Sequence, residues 1–387
     1  MRVAFVCLLV ATRVASADPS DFTADAKLLY RVAACGGSDP VDAKVAKTVE
    51  QHCKLITAQL EKFRAEYFGK HREWFATVVP KNVPKTVVYP FGGGDLISAL
   101  VAFPDATEIT TISLELAGDP RRLRTLPPKT LALELGALRG DIGGLISVGS
   151  NTTARLSDSQ ANDLPAQVSS FLLGLVAAGY EPVSMRYFSL DDAGAIHYLE
   201  QAEIDAADKQ MPKPKKLEPG EKPQGPSFSK AFSNVEIQYR APGEKTLRVH
   251  RHIAWNLEDD YLRKHPQLIR HLEKKGQVTV LVKGASYLLW RQNFSRVREY
   301  ILDHLAWMLS DSTGVPPSYA KSAGMVQETY GVYHGAFLPG SQESPHDEDF
   351  IKLWASQKRR KLPFRFGYVD TNRSAHLVVT KPRQPNQ

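Results

Sequence analysis

The chain has 387 residues, 43% of them hydrophobic and 24% charged, with a formal net charge of +7 at pH 7. These proportions are ordinary for a soluble globular protein. The basic excess is modest, and no zinc-binding, helix-turn-helix or RNA-binding signature accompanies it, which argues against a nucleic-acid partner.

Met1 to Ala17 has the pattern of a secretory signal. Arg2 supplies the basic start, Val3 to Ala11 the apolar run, and Ala15-Ser16-Ala17 the small residues of a cleavage site. The run is too short to span a bilayer. The expectation is cleavage after Ala17, a periplasmic or secreted mature chain, and no transmembrane segment in it. Cys7 leaves with the signal, so Cys35 and Cys53 remain and an oxidising compartment lets them form one disulfide. Two buried free thiols are the alternative.

Residues 18–80 read as an N-terminal helical region. Val45, Val49, Leu55, Leu60, Phe63, Tyr67 and Trp74 recur at helical spacing among Lys and Glu. Residues 81–387 read as an α/β domain. It opens with a β-branched run, Val87-Val88-Tyr89, then Gly92-Gly93-Gly94-Asp95, an apolar helical segment, and a second strand from Glu108 to Leu114 that ends at Glu115. Strand, glycine turn, helix and strand in that order set free backbone N–H groups beside a ligand. An acidic residue at the end of the second strand is then placed to accept ribose-type hydroxyls. The glycines also serve a tight turn with no ligand, since the G-x-G-x-x-G spacing is absent, and Asp95 suits a helix N-cap.

Further along, Lys129 to Ile146 and Val168 to Ala178 read as helices, the second closed by Gly179. Val183 to Leu190 with Ala195 to Glu200, and Val235 to Arg240 with Thr246 to Trp255, read as hairpins. Residues 209–230, rich in Pro, Lys, Gly and Glu, read as an insertion that cannot bury enough surface to order itself. Asp259 to Lys275 reads as one helix ended by Gly276. Gln277 to Val282 is apolar enough for a central strand, and the polar run from Lys283 to Tyr287 follows it, where open α/β sheets bind ligands.

Four segments in this order give the chain a resemblance to a group of uncharacterised exported bacterial proteins. They are Tyr89 to Asp95, Lys283 to Leu288, Asp311 to Pro316, and Phe366-Gly367-Tyr368. The resemblance adds residues to watch and no reaction. A second likeness, through Val87-Val88, the glycine turn and Glu115, is to S-adenosylmethionine-dependent methyltransferases, and it bears on fold more than activity. The fold expected is α/β: a Rossmann-like, methyltransferase-like mixed sheet flanked by helices, with the N-terminal helical region and β-hairpin additions. Nucleotide cofactors are cytoplasmic, so an exported chain of this fold is expected not to use the usual ligand, and no cofactor is assigned.

The candidate ligand-binding residues are Tyr89, Gly92, Gly93, Gly94, Asp95, Glu115, Lys283 and Tyr287. Lys283 would bring positive charge to the amides of the glycine turn, which predicts an anionic small molecule. The leading expectation is a binding or accessory protein. One alternative is a hydrolase using Lys283, Ser286 or Asp311 as catalytic groups, and another is a methyltransferase-like enzyme. His250 and His252 share one face of a strand, but no HExxH-type spacing accompanies them, so no metal site is assigned. Trp290, Trp307, Tyr330 and Tyr333 read as core or cleft wall.

Overall fold

The computed structural model describes residues 18–146, 164–211 and 228–383. The signal-like segment and most of the Pro/Lys-rich insertion lie outside the described residues, as do the polar residues Thr152 to Asp163.

One ten-stranded mixed sheet forms the centre. Its strands are β1 (Thr86–Pro90), β2 (Glu108–Ser113), β3 (Glu181–Leu190), β4 (Ile196–Tyr198), β5 (Asn234–Arg240), β6 (Arg248–Ala254), β7 (Val278–Val282), β8 (Leu305–Ser310), β9 (Met325–Gly331) and β10 (His376–Pro382). Across the sheet they run β4-β3-β5-β6-β2-β1-β7-β8-β10-β9. The middle five, β6, β2, β1, β7 and β8, are parallel, and the flanking strands pair antiparallel. This is a Rossmann-like mixed α/β fold, as the sequence predicts. The chain winds outward from β1 to β2 and β6, then returns to lay β7 and β8 on the other side of β1. The order therefore reverses between β1 and β7, and open sheets form their ligand crevice outside the carboxyl ends of strands at such a point.

Helices cover both faces. On one lie α1 (Thr23–Val32), α2 (Ala43–Phe63), α3 (Gly69–Val78), α4 (Leu96–Ala102), α5 (Pro128–Ile146) and α6 (Ala166–Ala178). Their buried side chains, among them Leu29, Ile56, Phe75, Leu100 and Phe171, share one core with Val87, Ile109 and Leu281 of the sheet. A five-residue π-helical turn, Arg64–Phe68, joins α2 to α3. After the β3–β4 hairpin comes α7 (Gln201–Lys209). The opposite face is covered by α8 (Asp259–Lys264), α9 (Gln267–Glu273) and α10 (Ser295–His304), with α11 (Pro317–Ser322) and α12 (Pro345–Ala355) toward the β9 edge. The single helix expected from Asp259 to Lys275 is thus two, because Pro266 cannot donate a backbone hydrogen bond and forces His265 out of helical geometry.

Cys35 and Cys53 form a disulfide across 18 residues, tying the turn after α1 to the middle of α2. Among the described residues, no helix is long and apolar enough to cross a membrane.

Candidate functional site

The period-two alternation of strands decides what meets at the switch point. On β7, Leu281 faces the α4 side, so Lys283, two residues on, faces it too. There its ammonium lies 2.8 Å from Asp95 Oδ2 and 2.7 Å from Ser98 Oγ, with the Phe366 ring centroid 5.0 Å away. Asp95 is the N-cap of α4, accepting from the Ser98 amide at 3.2 Å, and it also accepts from the Tyr89 hydroxyl at 3.1 Å. Burial beside the Asp95 carboxylate pushes the Tyr89 phenol well above its ordinary range, so it remains a donor. The glycine turn and the Lys283 segment, far apart in sequence, are therefore in contact. The partner of Lys283 is Asp95, and its positive charge goes to that carboxylate.

β8 runs beside β7 with Ser310 opposite Val282, which puts Asp311 level with Lys283. Asp311 is completely buried, and its carboxylate gathers three segments. Oδ2 accepts from the amides of Gly284 at 2.9 Å and Tyr368 at 2.8 Å, and Oδ1 accepts from the Thr313 amide at 2.9 Å and from the Thr313 hydroxyl. A side chain on Gly367, at φ +84°, would collide with Asp311. The four segments singled out in the sequence thus meet at the carboxyl ends of β1, β7 and β8, with Asp311 as a fully occupied structural acceptor.

The catalytic pairing considered for hydrolysis does not form. Ser286 Oγ lies 3.2 Å from the Tyr368 hydroxyl and shares no hydrogen bond with Lys283, whose donors go to Asp95 and Ser98. Ser286 and Tyr287 both adopt left-handed backbone, at φ 50° and 58°. Strain in consecutive residues without glycine is held only where the surroundings impose it, and it clusters at binding sites. The Tyr287 ring is buried, and its hydroxyl accepts from the Phe337 amide at 2.7 Å.

Glu115 follows β2, and its surroundings differ from those of every other candidate. It is 1% exposed, yet neither carboxylate oxygen has a hydrogen-bond partner. One oxygen, Oε2, lies 3.9 Å from where a side chain on Gly93 would begin. The amides of Gly93 and Gly94 likewise donate to nothing among the described residues, whereas Gly92 N bonds Ile112 O at 3.0 Å. Gln167, near the start of α6, is also buried with both amide atoms unpartnered, and its neighbour Val168 bonds Ala117 O, two residues past Glu115. Trp255, the residue after β6, bonds Ser113 O through its amide at 2.7 Å, and its indole N–H is unpartnered on the face where its ring meets Tyr261.

The Glu115 backbone is held by a buried chain. His252 Nε2 lies 2.7 Å from the Glu115 carbonyl oxygen and must donate to it, which leaves Nδ1 to accept from the Thr111 hydroxyl at 3.1 Å. That hydroxyl, its one proton committed, accepts from His250 Nε2 at 3.0 Å. Both rings are neutral: burial lowers His252 to about 4 and His250 well below the usual histidine range. The two histidines are core supports packed against Phe171. Among the described residues, no group of three His, Cys, Asp or Glu side chains is placed to hold a metal ion.

Sequence reasoning missed Ser98, Gln167 and Trp255, and it named Phe366 only as part of the Phe366-Gly367-Tyr368 segment. For Gln167 a signal was present, since Gln and two serines open a helix that is otherwise apolar. Comparison with protein-family models, with curated proteins and with solved structures finds no match for this chain.

Proposed function

We propose that the chain is an exported binding protein whose crevice, outside the carboxyl ends of β6, β2, β1 and β7, takes a hydroxyl-rich small molecule of sugar or polyol type. The observation that carries this reading is the Glu115 carboxylate, buried with both oxygens unpartnered beside Gly93. Buried polar groups are nearly always hydrogen-bonded, and a buried charge without a partner costs several kcal/mol, so an orphaned carboxylate at a switch point favours a role outside the fold itself. Two acceptor oxygens side by side match two adjacent hydroxyl donors.

Lys283 argues against the anionic ligand that its position first suggested, because Asp95 neutralises it while Glu115 repels negative charge. The separation of Lys283 from Ser286 favours binding over hydrolysis. The signal-like pattern of residues 1–17, together with the Cys35–Cys53 bond, supports export.

Thermal-shift measurements against monosaccharides, polyols, nucleosides, polyamines and inorganic phosphate test the reading. A ligand present at a hundred times its Kd stabilises the folded state by about 2.7 kcal/mol. Stabilisation of the wild type by a vicinal diol, absent in Glu115→Gln, is the expected result. Stabilisation by phosphate alone, or by a polyamine alone, would overturn it.

A further inference from the structure

A cavity opens at the end of β1 away from the glycine turn. It lies between α3 and α4, has a volume of about 180 Å³, and is walled by Phe75, Val79, Val83, Val87, Phe103 and Ala106. Val87 is the second residue of β1, whereas the glycine turn follows its last, so the two sites are about 15 Å apart along the strand.

Folded interiors leave few voids larger than a water molecule, and an apolar void of about 150 Å³ accepts benzene. At 180 Å³ this cavity accommodates an apolar group of about six to eight carbons, and it is below the roughly 300 Å³ at which drug-sized pockets begin. Its lining is apolar but its mouth is charged, with Arg72, Lys81 and Lys85 against one carboxylate, Asp105. The three cations have no ion pair among the described residues, and Arg72 rests over the Phe68 ring at 5.4 Å. The mouth is anchored, since the Lys85 carbonyl accepts from the Thr107 amide at 2.9 Å.

We infer that this cavity binds a compact anionic amphiphile, a monocarboxylate whose apolar body enters between Phe75 and Phe103 while its carboxylate stays at the mouth among Arg72, Lys81 and Lys85. The ammonium stems lie along the apolar rim with their charges in water, as long basic side chains do.

A methyl-NMR titration of the full chain with octanoate, and with 1-octanol as its neutral counterpart, tests the inference. Octanoate is expected to shift the Val79, Val83 and Val87 methyls and to bind more tightly than octanol. The Lys81→Gln/Lys85→Gln variant should weaken octanoate by about threefold to tenfold. Ala76→Leu places bulk at the mouth from an exposed position on α3, which keeps the fold, and should abolish the shifts. Unmoved valine methyls, equal affinity for octanoate and octanol, or unchanged octanoate binding in Ala76→Leu would each overturn the inference.

Discussion

The Lys283 ammonium, just past β7, sits 2.8 Å from the Asp95 carboxylate at the start of α4, and this pair joins the two strands between which the sheet reverses its order. Both groups are largely buried, so neither can be removed without stranding the other.

Lys283→Met should therefore destabilise the fold by about 3–5 kcal/mol, because it leaves the Asp95 charge buried and unpaired. Adding Asp95→Asn should recover part of the loss, since a neutral amide tolerates the site better and still accepts from Ser98 N. Urea unfolding of the two variants checks both statements. Equal stability of Lys283→Met and wild type would show that water already reaches Asp95.

A second prediction concerns acid. His252, His71 and His271 are each lowered to about 4, in every case chiefly by burial, and His250 is lowered by burial as well. In the unfolded chain these rings take protons near 6.5, so between about 6.5 and about 4 the unfolded state binds more protons and stability falls as pH falls. Each ring with a value near 4 contributes on the order of 3 kcal/mol across that window, and below it the histidine contribution levels off. Unfolding free energies at half-unit pH steps should show the decline, with a shallower slope in His252→Gln. A flat profile from 6.5 to 4 would contradict the buried neutral assignment.

The disulfide provides a third test. Closing a loop of 18 residues contributes about 3 kcal/mol in the chain-entropy picture, so Cys35→Ala/Cys53→Ala should unfold at lower denaturant by about that amount. The slope of the transition should rise, because the unconstrained unfolded chain exposes more surface. An unchanged midpoint would place the gain elsewhere, in residual structure of the reduced chain.

The glycine turn, the strands on either side of it and the Gln277–Val282 run were legible because punctuation and composition agreed: three glycines after a β-branched run, and an apolar run followed by a polar one. Pairing was not legible. Three carboxylates, Asp95, Glu115 and Asp311, compete for Lys283 in any reading of the sequence. The choice is made by which face of β7 Lys283 inherits and by which helix covers that face. β8 escaped notice for a local reason: α10 ends at His304 and the strand begins at Leu305, with no glycine or proline to mark the change. Nor does a sequence show that a carboxylate is buried without a partner. Glu115 was picked out by its position after a strand, and its isolation is a property of packing alone.

That isolation is the central claim, and the stability of Glu115→Gln in the absence of ligand tests it most directly. The substitution keeps the shape and removes a buried charge that nothing in the fold accepts. If Glu115 serves a ligand, the variant should be more stable than wild type in urea by about 1–3 kcal/mol, as expected where a site is kept at the expense of stability. A variant less stable by a similar amount would mean that the carboxylate supports the fold, and would contradict its assignment to the ligand.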